Sequence, residues 1–179
     1  METTKNKMSD YDSFFLEQMS KTLDTKLYFY GSIQRYDYYP NKSDIDLDIF
    51  ADNVSSMKYK LSGFLNSHNH AKTNIEFKSF ILKTKHAEII HGHKVSYKDK
   101  AHHLFIEINL FDEKNKKAIL DEHNYKTHLP FYIIILFTIL KFCHYQLPLL
   151  SINDYRKCKE FCLNYLLNGQ LDEFINLGA

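Results

Sequence analysis

Leu27-Tyr28-Phe29-Tyr30-Gly31-Ser32, followed after eleven residues by Asp44-Ile45-Asp46-Leu47-Asp48-Ile49-Phe50, is the stretch on which the reading of this chain turns. Leu27 to Tyr30 is a short apolar run that suits a buried strand, and it stops at Gly31-Ser32. Residues 33–43 form a polar connection containing Pro40. The segment beyond it alternates strictly. In an extended strand Asp44, Asp46, Asp48 and Phe50 share one side, and Ile45, Leu47 and Ile49 share the other. The apolar side is expected to lie on the core. Asp44 and Asp46 then stand roughly 7 Å apart along the backbone, with tips free to converge on a hard cation. Aspartate is unfavourable in strands, and crowded like charges cost free energy. A cation would remove that penalty. Asp48 adds a third acid to this face, and no role is assigned to it.

Gly31 lets the backbone turn and approach a ligand closely. The N–H groups after it can face an anion, and the Ser32 hydroxyl adds a donor. If the two strands are neighbours, this phosphate cradle sits beside the aspartates. A third carboxylate would complete a two-metal site. Glu107 is the best candidate, because it interrupts the apolar strand pattern Phe105-Ile106-Glu107-Ile108 and a charge there is buried only with a partner. Asp112, at the end of the same strand, is the weaker candidate.

The combination Gly31-Ser32, eleven residues, and Ser43-Asp44-Ile45-Asp46-Leu47 resembles the signature of the DNA polymerase β-like nucleotidyltransferase superfamily. Arg35 stands where small members often carry an arginine, whereas Tyr36 replaces their following glycine. The resemblance covers roughly residues 10–112. It implies that Asp44, Asp46 and Glu107 hold two Mg²⁺ ions, and that Gly31, Ser32 and Arg35 meet the triphosphate of an NTP. The implied activity is a magnesium-dependent transfer of NMP from an NTP to a hydroxyl acceptor, with release of pyrophosphate. That acceptor is a protein, a small molecule or an RNA end. The other reading is a catalytically weak or inactive binding module, such as an antitoxin that engages a partner protein.

The surrounding pattern gives an α+β fold: a mixed sheet with flanking helices over 10–112, then a helical region over 113–179 packed on it. Residues 1–8 read as frayed. Ser9 with Asp12 opens a helix carrying Phe15, Met19 and Leu23 at helical spacing. Met57, Leu61, Phe64 and Leu65 mark a second helix. Residues 76–98 suit two strands, with His91-Gly92-His93 as their turn. Leu104, Ile106, Ile108 and Leu110 share one face of a third strand, and Glu107 and Asn109 share the other. Pro130 opens a helix to about Tyr145. Ser151 and Asp154 open another that Gly169 can close, and Leu171, Phe174 and Ile175 suggest a last short one.

The chain has 179 residues, 14 Phe and 13 Tyr, enough bulk for one core and too apolar for disorder. A formal charge of +1 gives no global pull toward nucleic acid, so nucleic acid is a possible partner that charge does not indicate. Cys143, Cys158 and Cys162 form no secreted disulfide pattern, and the polar N-terminus shows no signal peptide. The longest apolar run, Leu129 to Leu140, is short of the roughly 20 residues a membrane helix needs. A cytoplasmic protein without a membrane partner is expected. The pairs His91/His93 and His102/His103 read as solvated residues rather than metal ligands, and Cys158 and Cys162 as core residues.

Overall fold

The alternating stretch becomes a central strand. In the computed structural model, which describes residues 2–68, 75–84, 88–147, 149–166 and 175–176, β2 (Ile45–Ala51) pairs antiparallel with β1 (Tyr28–Tyr30) and parallel with β5 (Leu104–Asp112). β5 pairs antiparallel with β4 (Ile89–Asp99), and β4 pairs antiparallel with β3 (Lys78–Lys83). The two-residue β6 (Ile175–Asn176) lies along β3. The sheet order is β1-β2-β5-β4-β3-β6, a mixed sheet of the expected α+β class.

One face of the sheet carries Ile45, Leu47 and Ile49 of β2 and Ile106, Ile108 and Leu110 of β5, all buried. α1 (Asp10–Leu23) and α2 (Val54–Ser67) cover it with Phe15, Leu16, Met19, Leu61, Phe64 and Leu65. Full burial of one such side chain contributes roughly 1.5–3 kcal/mol, which makes this face the main source of stability. α1 starts where the sequence places it. The Ser9 hydroxyl accepts the Asp12 N–H at 3.0 Å, and Asp10 and Asp12 suit the positive end of the helix dipole.

The opposite face is divided. At one end Tyr28, Phe50, Phe80, Leu82, Ile90 and Phe111 form a second apolar cluster closed by Ile119 of α3 (Lys116–Thr127). At the other end stand the carboxylates. Beyond α3, α4 (Phe131–Tyr145) and α5 (Ile152–Leu166) pack on each other through Ile133, Phe137 and Cys162. Pro130 is the residue just before α4, and the Ser151 hydroxyl accepts the Asp154 N–H at 3.2 Å at the start of α5.

Three expectations are corrected. Residues 2–8 are tied down rather than frayed: Asn6 donates its side-chain amide to the carbonyls of Ile33 and Arg35, and Met8 enters the core. His91-Gly92-His93 is not a turn but lies inside β4, with Gly92 opposite Phe80. A Cβ on Gly92 would come within 2.5 Å of the Phe111 ring and 2.7 Å of the Phe80 ring, so this glycine clears space for two aromatics. β3 ends at Lys83 and β4 begins at Ile89, with the Thr84 N–H donating to the Glu88 carbonyl at 3.0 Å. Ile175 belongs to a strand edge, not a helix, while Gly169, Leu171 and Phe174 lie outside the described residues.

Candidate active site

Strand register assembles the site. Tyr30 pairs with Asp46 across β1 and β2, and Asp46 pairs with Glu107 across β2 and β5. Adjacent strands lie about 4.8 Å apart, and equal parity puts Asp44, Asp46 and Glu107 on one face. The Gly31-Ser32 turn leaves β1 directly against Asp46. Gly31 adopts φ +71°, and a Cβ there would sit 2.2 Å from Asp46 Oδ2, so only glycine fits between this backbone and the carboxylate. Ser32 is buried in the short 3-10 turn Gly31–Gln34 that follows. Asp112 falls on the opposite face by parity. It accepts the Lys114 N–H at 3.0 Å, which removes it as the third carboxylate of this group.

The carboxylates feel one another. Burial pushes Asp46 up to about 7, and the charges of Glu107 and Asp44 add to that rise. Asp44 is raised by loss of water and then by Glu107. Neither Asp44 nor Asp46 has a hydrogen-bond or ion-pair partner among the described residues. Lys159 of α5 and Lys94 offset the repulsion at Asp46 only from a distance. Glu107 differs, because Lys94 of β4 binds its carboxylate at 2.5 Å. Among the described residues no three His, Cys, Asp or Glu side chains stand ready to hold a metal ion. The hard, unneutralised oxygens of Asp44 and Asp46 nevertheless suit Mg²⁺, and Glu107 joins them only if Lys94 releases it.

Asp48, one turn of the pleat further along, is fully buried. It accepts a hydrogen bond from Asn109 Nδ2 at 3.1 Å, and Asn109 also donates to the Tyr30 hydroxyl at 2.6 Å. His123 of α3 stacks on the Tyr30 ring at 3.9 Å and brings Nε2 within 2.6 Å of Asp48 Oδ2. Asp48 is thus a structural acid beneath α3.

Arg35, expected to meet nucleotide, has another partner. Its guanidinium grips Asp37 with Nε at 2.8 Å and Nη2 at 3.2 Å, and the pair is buried. Lys141 of α4 completes the group. It lies 3.2 Å from Asp37 Oδ2 and donates to the Asp37 carbonyl at 2.6 Å and the Ser43 hydroxyl at 3.2 Å. Burial lowers Lys141 to about 8 although Asp37 opposes that shift. This network fixes residues 35–43 and therefore the entry to Asp44. Lys94, Lys141 and Lys159 were not singled out from sequence. Only Lys141 left a sign there, as the lone lysine within the apolar run from Phe131 to Phe142.

No protein-family model and no curated protein matches the chain. Two solved structures are similar to part of the chain. One is that of Cid1, described for its RNA terminal uridylyl transferase activity, at 18% identity and TM-score 0.34 over 75% of this chain and 37% of that one. The other is the GLD-2/RNP-8 complex, at 16% identity and TM-score 0.38 over 85% of this chain and 52% of that one. The chain therefore spans about a third to a half of the length of these neighbours. The resemblance to polymerase β-like nucleotidyltransferases rests on this chain's own residues: Gly31-Ser32, Asp44 and Asp46, and Glu107 on one sheet face.

Proposed function

We propose that this chain is a magnesium-dependent nucleotidyltransferase that moves NMP from an NTP to a hydroxyl acceptor and releases pyrophosphate. The observation that carries the reading is Asp46 held between the Gly31 backbone and Glu107 in register, with Asp44 on the same face and neither aspartate neutralised. Asp44, Asp46 and Glu107 would hold the Mg²⁺, whose chemistry is to activate the acceptor hydroxyl and to neutralise charge on the triphosphate. The Gly31-Ser32 turn contributes backbone N–H groups and a hydroxyl for phosphate oxygens. Glu107 would take the acceptor's proton once Lys94 releases it. Lys94, Lys98 and Lys159 give the acidic face a positive surround for an anionic substrate. Arg35 is left out of this assignment, since Asp37 occupies it.

The test is Mg²⁺-dependent release of pyrophosphate from each NTP, with labelled NTP and cell extract to trap the acceptor. Asp46→Ala is expected to lower turnover by at least ~10²-fold, the loss that follows removal of one preorganised electrostatic partner. Equal turnover in wild type and a folded Asp46→Ala protein would remove this site from the reaction. A second reading, a binding module without transfer, draws on one observation: the 2.5 Å Lys94–Glu107 ion pair occupies the third carboxylate. In that case no NTP releases pyrophosphate, and Lys94→Gln does not restore release.

A further inference from the structure

α4 has two apolar faces, and the described residues cover only one. Ile133, Phe137 and Lys141 point inward. On the outside Phe131 is 73%, Tyr132 58%, Ile135 44%, Ile139 53% and Phe142 45% exposed, and Leu147 continues the patch past the helix. Tyr132, Ile135, Ile139 and Phe142 follow one another at spacings of three, four and three residues. That is the narrow seam of a helix that meets another helix, not the broad stripe of a helix lying on a sheet.

The chemistry of the seam selects its occupant. It carries no charge along its length. The one lysine of α4 is buried on Asp37. A helix lying on a membrane surface needs a cationic flank, and a nucleic-acid surface needs cations for phosphate. The seam residues themselves carry no cation, and Lys42, beside the end of α4, is engaged by the Tyr145 carbonyl. A second uncharged helical seam is complementary, and another copy of this chain supplies one without bringing like charges together. Large side chains offer roughly 150–250 Å² each, so these six expose on the order of 600 Å². That reaches the upper end of what a typical monomer leaves open, about 300–600 Å². Doubled across a twofold axis it gives on the order of 1,200 Å², above the ~1,000 Å² expected of a specific interface.

We propose that this chain forms a twofold homodimer in which the α4 seams of two copies pack on each other. The nucleotidyltransferase reading plays no part in this inference. Sedimentation or light scattering of the full chain between about 1 and 100 µM tests it, in the affinity range of an interface of this size. The mass is expected to rise with concentration toward twice the 21.3 kDa of one chain. Ile139→Asp and Ile135→Asp should each hold the mass at one chain while the circular dichroism stays unchanged. Tyr59→Asp, at an exposed residue of α2 away from the seam, should leave the dimer intact. If an aspartate disturbs the helix, Ile139→Gln is read by the same mass measurement. A wild-type monomer at 100 µM, a dimer that survives both folded aspartate variants, or a monomer that floats with anionic vesicles overturns the proposal.

Discussion

Asp46 is a carboxylate whose ionisation opposes folding when no cation is bound, and the size of that opposition is set by its surroundings. Its folded value of about 7 stands against an ordinary 3.8, about three units, and at ~1.4 kcal/mol per unit the ceiling is about 4 kcal/mol. The side chain keeps some solvent contact, and screening by water and by the lysines around it roughly halves the effect, to about 2 kcal/mol. The sign is the reverse of the usual aspartate. Between about pH 4 and 7 the folded chain binds more protons at this site than the unfolded chain, so the site lowers stability as pH rises and the loss is complete above pH 7. Asp46→Asn keeps the shape and removes the charge. In a chelating buffer at pH 8 the variant should be about 2 kcal/mol more stable, a rise in melting temperature of about 4–8 °C for a chain of this size. At pH 4.5, only about 0.7 units above the ordinary value of 3.8, the advantage should shrink to about 0.5–1 kcal/mol, because most of the penalty builds up between there and pH 7. Added Mg²⁺ should raise the wild-type melting temperature by mass action and leave the variant nearly unmoved. Thermal denaturation at the two pH values, with and without 10 mM Mg²⁺, reads all four quantities. An Asp46→Asn protein no more stable than wild type at pH 8 in chelator would refute the claim that this face is electrostatically strained.

Gly31→Ala places a methyl group against Asp46 Oδ2 at a positive φ. It should cost about 1–3 kcal/mol in urea denaturation and depress turnover more than Ser32→Ala does. Under the proposed function, Ser32→Ala removes a donor that would meet phosphate in ground and transition states alike. It should act mainly on KM, by about 1.5–3 kcal/mol, in steady-state kinetics. Lys141→Met leaves Asp37 buried with only Arg35, and should destabilise by about 3–5 kcal/mol in the same denaturation assay.

Much of the fold was legible because it follows from side-chain period. Alternation placed β2 and β5 and gave each its core face, and a lone glutamate in an apolar strand marked Glu107. The cap at Ser9 was equally local. What the sequence did not show depends on elements far apart in the chain. Lys94 reaches Glu107 only because β4 pairs with β5 in a particular register, and no local pattern carries that register. Glycine between histidines matches a hairpin turn, whereas the Phe80 and Phe111 rings that require Gly92 lie 12 and 19 residues away. The Arg35–Asp37 pair is different. Two residues of separation put that ion pair within reach of the sequence, where the same arginine also fits the nucleotide position of the resemblance.

The acidic side of β2 shows how little of a site is contained in its spacing. Asp46 and Asp48 are two residues apart and point the same way, yet they fall on opposite sides of a boundary drawn by α3. Toward the open end Asp46 meets Glu107, gains no direct partner, and has its charged form disfavoured. Under α3, Asp48 is bound by Asn109, and His123 closes over it with its ring on Tyr30. Asn109 is to Glu107 what Asp48 is to Asp46, so the lower row ties β2 to β5 directly beneath the upper one. A buried polar network of this kind fixes register more than it adds stability, since a slip of either strand would strand Asp48 without its donor. That fixity is what a crowded pair of carboxylates requires: strands free to shift would relieve the repulsion by separating Asp46 from Glu107. The strain above is therefore kept in place by the hydrogen-bonded pair below, and under the proposed function that fixity would hold the acidic face ready for a cation.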